Sequence, residues 1–155
     1  MSKLGRFLAI LLCLAIAFVT TAELASATAQ SFNVPAGTAT TRTLSLAVED
    51  RIVIKFMVTG GQEDSTIAFS IDYSNGTTSA FGKLGILTHS FVCDKDGTCV
   101  LHFSNVGSSI DKLVTLDYEV QHYIFGMPQM LFLAMVVAVI CVAMVAVFVL
   151  MAKPR

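Results

Sequence analysis

Between Gln30 and Gln129 apolar and polar residues alternate with period two in short runs, and Gly, Asn, Asp and Ser separate the runs. Leu44, Leu46 and Val48 share one face. Ile52, Ile54, Phe56 and Val58 share the face of a second run, and Glu49-Asp50 between the two predicts a hairpin. After the break at Gly60-Gly61-Gln62-Glu63-Asp64, Ile67, Phe69, Ile71 and Tyr73 alternate up to Ser74-Asn75-Gly76-Thr77, whose Asn-Gly pair is a hairpin-turn signal. Strands are expected from Ile86 to Cys93 and from Cys99 to Asn105, flanking Asp94-Lys95-Asp96-Gly97-Thr98. A last strand runs from Lys112 to Tyr123, with Val114, Leu116, Tyr118 and Val120 on one side and Thr115, Asp117 and Glu119 on the other. Many short half-buried strands without a long helix predict an all-β domain, a small antiparallel β-sandwich.

The two ends break this pattern. Lys3 and Arg6 precede an apolar run from Phe7 to Val19, and the small residues Ala25-Ser26-Ala27-Thr28-Ala29 follow. That order predicts a signal peptide over residues 1–29, cut after Ala27 or Ala29. Cys13 lies inside the run behind Leu12, which does not suit a lipoprotein. At the other end Met130 to Met151 holds no charge and no Pro, and as a helix of about 33 Å it predicts one transmembrane α-helix. Lys153 and Arg155 follow it, so the positive-inside bias places tail 152–155 in the cytoplasm. The β-domain, 30–123, is then extracytoplasmic and joined to the span by a short linker, 124–129. With 55% hydrophobic and 14% charged residues the chain is too apolar for a soluble domain alone, and the excess sits in these end segments.

Charge narrows the partners. Between Gln30 and Gln129 six Lys or Arg stand against ten Asp or Glu, a net of minus four, which repels nucleic acid. Cys93 and Cys99 are the cysteines outside the apolar segments, and in an extracytoplasmic compartment they predict a disulfide. Facing each other across a hairpin, they would pair Phe91 with Leu101 and His89 with Phe103, close a seven-residue loop and stabilise the fold by about 2 kcal/mol. No Cys-x-x-Cys spacing is present to suggest redox chemistry.

His89, His102 and His122 share no ligand spacing, so no metal is expected. Asp94-x-Asp96-Gly97 lacks the later ligands of a calcium loop and reads as turn chemistry. Asn75-Gly76-Thr77 matches the N-glycosylation acceptor pattern. There is no phosphate-binding Gly loop, nucleophile elbow or paired-carboxylate motif, and neither an enzyme nor a bound cofactor is expected.

In order along the chain, Phe91, Gly97, Phe103, Asn105, Ser109, Lys112, Val114, Leu116 and Tyr118 resemble the motif of a GOLD (Golgi dynamics) domain. That domain is the luminal β-sandwich of the transport-vesicle cargo-receptor family. The resemblance implies a GOLD-like sandwich acting as a protein-interaction module without catalytic residues. Two family features are missing: Tyr123 to Pro128 leaves no room for the coiled coil, and Ala152-Lys153-Pro154-Arg155 lacks a coat-binding signal.

The reading that follows is a non-catalytic, membrane-tethered adapter or accessory subunit, cargo-receptor-like, whose partner is another membrane or extracytoplasmic protein. The alternative is a sandwich that binds a lipid or small apolar ligand. In the span, Ala134, Ala138, Cys141 and Ala143 are small enough for a partner helix to approach.

Overall fold

A computed structural model describes residues 26–60 and 65–151. The segment expected as signal peptide, up to residue 25, and the expected tail, 152–155, lie outside the described residues. Eight strands build two four-stranded antiparallel sheets: β1 (Ser26–Val34), β2 (Ala39–Leu46), β3 (Arg51–Thr59), β4 (Ile67–Asp72), β5 (Thr78–Leu84), β6 (Ile86–Val92), β7 (Gly97–Ser104) and β8 (Lys112–Gln121). The first sheet has the order β1-β8-β3-β6 and the second β2-β7-β4-β5. Two-residue strands β9 (Tyr123–Ile124) and β10 (Met127–Pro128) follow, then helix α1 (Gln129–Met151). The chain divides after Gly126 into the two-sheet unit and a second unit that contains α1.

The alternation sets the core. Every second residue of β3 is buried, Ile52, Ile54, Phe56 and Val58, and β4, β7 and β8 contribute Phe69, Ile71, Leu101, Phe103, Val114 and Leu116. The rings of Phe56, Phe69 and Phe103 meet at the centre with centroids 4.8, 4.9 and 5.4 Å apart. Each lies in tilted or edge-on geometry, the arrangement that ring quadrupoles favour. Because Phe56 comes from the first sheet and Phe69 and Phe103 from the second, this cluster binds sheet to sheet.

Two expected hairpins are corrected. β2 and β3 lie in different sheets, as do β6 and β7, so residues 47–50 and 93–96 are arches between sheets rather than hairpin turns. Period-two patterning does not distinguish the cases, because an arch and a hairpin both leave the apolar faces of their strands turned toward one core. The registers expected for Phe91 with Leu101 and His89 with Phe103 are replaced accordingly. Phe91 pairs with Ile52 and His89 with Ile54, whereas Leu101 pairs with Ile71 and Phe103 with Phe69. The two arches bind each other: Glu49 N–H donates to Cys93 O and Cys93 N–H to Asp50 O, each at 2.8 Å. Consecutive β4 and β5 do form a hairpin, and its turn contains Asn75-Gly76 with Gly76 at φ 86°.

Two strands have no apolar alternation in the sequence. β5 carries a bulge opposite Phe69 and Ser70 with Gly82 at φ 77°, which interrupts its pattern. β1 pairs Ser26 to Val34 with Val120 to Lys112 without a break, so Ser26–Ala29, part of the segment expected to be removed, belong to this strand. A cut after Ala29 would leave Asp117 to Val120 without their partners on that side.

The 23-residue α1 is long and apolar enough, by length and composition, to cross a membrane. It carries no acidic residue in its first turn and no basic residue in its last.

Candidate interaction surface

The residues of the GOLD-like motif hold the fold. Phe103, Val114 and Leu116 are in the core, and Phe91 and Tyr118 pack half-buried against it. Gly97 opens β7 at φ 149°, and a Cβ there would stand 3.1 Å from Ser74 Cβ, so a side chain is resisted on both counts. Asn105 is 2% exposed and is the knot of one end of the unit. Its side-chain amide donates to Val34 O, Pro35 O and Ile110 O at 2.8–3.2 Å, and its backbone ties the turn at Gly37 and Thr38. Ser109 lies exposed in the bend before β8. Lys112 is buried, and its ammonium donates to Thr66 O.

The titratable side chains are spread over separate structural contacts. On the outside of the second sheet His102 Nε2 lies 2.7 Å from Asp72 Oδ2. Thr78 Oγ1 donates to the other oxygen of Asp72, and these two bonds hold its carboxyl below the usual range. Hydrogen bonds from Ala36 N–H and the Asn33 amide do the same for Asp111. His122 Nδ1 lies 2.8 Å from Oδ1 of Asp50, a carboxylate that is only 1% exposed and also accepts from Ala47 N–H. His89 sits among Phe81, Phe91 and Tyr73 at the β5–β6 side, where burial lowers its pKa below the ordinary imidazole value. Among the described residues no group of three His, Cys, Asp or Glu gathers that could hold a metal ion.

The expected disulfide is not seen in the structure. Cys93 and Cys99 are buried free thiols: Cys93 Sγ donates to Lys95 O at 3.0 Å and lies 3.6 Å from Ser74 Oγ. Burial pushes the Cys99 thiol up to about 11, with Cys93 and Asp72 adding to the rise. β6 and β7 join different sheets, so the two thiols do not face each other across a hairpin. Asn75 stands exposed in the β4–β5 turn. Its amide nitrogen, the atom a glycan would occupy, donates to Asp94 Oδ2 at 2.9 Å, and its oxygen accepts from Thr77 N–H and Thr77 Oγ1.

A surface feature that the sequence reading missed is the outer face of the first sheet. The residues of β3 that alternate with its core positions include Val53 and Met57, both exposed. Met57 pairs directly with Ile86, which is 64% exposed, and Leu113 pairs with the neighbouring Thr59. Met57, Ile86 and Leu113 therefore form one apolar patch across three adjacent strands. Ile110 and Val106, in the connection leading to Leu113, are exposed as well. Lys55, with Asp117 opposite it in register, borders the patch toward the β3 start. The signal was present as an apolar residue at nearly every position from Ile52 to Val58, more than one buried face requires.

No family model matches the chain, and no curated protein matches it. Among solved structures, it is similar to a periplasmic lysozyme inhibitor of g-type lysozyme from Aeromonas hydrophila. The identity is 12% and the TM-score 0.48, over 64% of this chain and 90% of that one. A second similarity, to a family GH115 4-O-methyl-α-glucuronidase with specificity for decorated arabinogalactans, has 12% identity and a TM-score of 0.31. It covers 63% of this chain and 16% of the glucuronidase. Both scores are below 0.5, and neither similarity assigns a family or an activity.

Proposed function

We propose that the chain is a non-catalytic, membrane-tethered interaction module: a small β-sandwich held outside a membrane by α1 that binds another membrane or extracytoplasmic protein. The observation that carries this reading is the Met57–Ile86–Leu113 patch on the outer face of the first sheet, beside a core already filled by its own side chains. Exposed apolar side chains grouped on adjacent strands mark association surfaces more than single ones do. The order of the GOLD-like motif, with its residues placed in the core and at turns, supports kinship with that domain. The same packed rings, with Phe56, Phe69 and Phe103 in mutual contact, favour surface binding over an apolar ligand inside the sandwich.

The test is co-purification of the full-length chain in nanodiscs, beside a Met57→Asp/Ile86→Asp double variant. A stoichiometric protein partner retained by the parent chain and lost from the variant is expected. Equal retention by both would sink the assignment of the face. A specific lipid recovered with the chain alone would replace it by the ligand-binding reading.

A further inference from the structure

Residues 122–126, the end of the expected last strand and the start of the expected linker, are fastened to the β2–β3 arch by three consecutive residues. Glu49 accepts from Gly126 N–H at 3.0 Å, Asp50 holds His122 at 2.8 Å, and the Arg51 guanidinium lies over the Tyr123 ring at 4.5 Å. Glu49 is itself at φ 69°, which turns the arch so that its carboxylate reaches Gly126. Phe125 and Gly126 are both left-handed, at φ 53° and 72°, a tight reversal in which a bulky aromatic residue is strained. The reversal leaves Phe125 81% exposed. At the same end of the sheets the β2–β3 arch presents Val48 and the end of β6 presents Val92, both exposed, and Val92 pairs with Arg51.

The position of this end in the chain identifies what covers it. Two residues, Met127 and Pro128, separate Gly126 from the start of the apolar helix at Gln129, a reach of about 11 Å at most. The polar zone on each side of a bilayer is itself roughly 5–8 Å deep. Resting on the reading that α1 spans a membrane, we propose that the arch end of the sandwich docks on the lipid surface, with Val48, Val92 and Phe125 in the interfacial zone. The Glu49–Arg51 clasp holds residues 122–126 against the arch. Charge does not drive the docking, because Glu49, Asp94 and Asp96 outnumber Arg51 and Lys95 around these side chains. Apolar insertion does, as for aromatic and aliphatic side chains at membrane interfaces generally.

The chain contains no Trp, so a single introduced Trp reports its own surroundings. Val48→Trp is the decisive site, because it lies far from the helix in sequence and meets lipid only if the domain is mounted. In full-length protein reconstituted in phosphatidylcholine vesicles, its emission is expected to shift to the blue and to be quenched more than about twofold by brominated lipid. Val92→Trp is expected to behave alike, whereas Val106→Trp, in the β7–β8 connection, stays water-exposed and unquenched. Adding Glu49→Ala to Val48→Trp should abolish most of the quenching. If the indole of Val48→Trp is as open to aqueous acrylamide as that of Val106→Trp, in protein that resists alkaline carbonate extraction, the docking is overturned and the span left intact. Quenching that appears only with anionic lipid overturns the apolar mode. Release of the chain by carbonate overturns the spanning reading itself, and the docking with it.

Discussion

At the scale of single residues, polar side chains in this domain mostly organise backbone. Asn105 answers three carbonyls from two separate segments, and Asn105→Ala takes that amide from all three, of which Ile110 O keeps the Ser108 hydroxyl. A loss of about 2–3 kcal/mol is expected, read as a lowered urea midpoint with unchanged slope. A slope that collapses would show a different folded state instead. His89 gives the domain an acid-sensitive component. Its folded pKa is lowered from 6.5 by burial, so as pH falls through 6.5 the unfolded chain takes up the proton first. Stability therefore falls from that point down to the lowered folded value. Asp72 and Asp111, held below 3.8 by hydrogen bonds, contribute stability that is lost only under more acid conditions, as pH falls through their lowered values. Melting at about pH 7.5 and about pH 5 compares the first window, and His89→Phe is expected to flatten the difference. An undiminished difference in that variant would move the effect to another group. Phe103, Val114 and Leu116 were legible as core positions because apolar alternation marks the inward face of their strands. The burial of Asp50 was not, since an Asp in a turn looks the same in sequence whether or not a distant His closes over it.

Among the elements, strands were easier to read than their partners. β3, β4, β6, β7 and β8 announce themselves by alternation, and the Asn75-Gly76 turn makes the hairpin it predicts. β1 stayed hidden because Ser, Ala, Thr and Gln fill most of it, and β5 because a bulge breaks its period. The arches at 47–50 and 93–96 stayed hidden for a different reason: inward parity is conserved whether a chain turns back within a sheet or crosses to the next. Burial sets the reactivity expected of Cys99. With the Cys99 thiol at about 11, about one molecule in a thousand carries the thiolate at pH 8, so iodoacetamide should modify Cys99 slowly until the domain is denatured. A peptide linking Cys93 to Cys99 by a disulfide, found by mass spectrometry without reduction, would contradict the free thiols. The inter-sheet ring cluster supplies the opposite extreme of sensitivity. Phe103→Ala removes contacts with Phe32, Phe56 and Phe69 and should cost roughly 3–5 kcal/mol, against about 0.5 kcal/mol or less for exposed Met57→Ala. Similar losses at both positions would mean that the core is assigned to the wrong face.

For the whole molecule, the sequence separated a β-rich domain from an apolar C-terminal helix because composition changes abruptly at Pro128. The apolar patch on the outer face of the first sheet was harder to see. It depends on β3 standing next to both β6 and β8, a neighbourhood that brings Met57, Ile86 and Leu113 together from three distant stretches of chain. The central claim is that this face meets a protein partner while α1 holds the domain at a membrane. The most direct measurement places a photo-crosslinking amino acid at Ile86 of the full-length chain in intact membranes, with Thr43 on the outer face of the other sheet as the control. One protein is expected to be captured from position 86 and not from position 43. Equal capture at both positions, or none at position 86, would contradict the account.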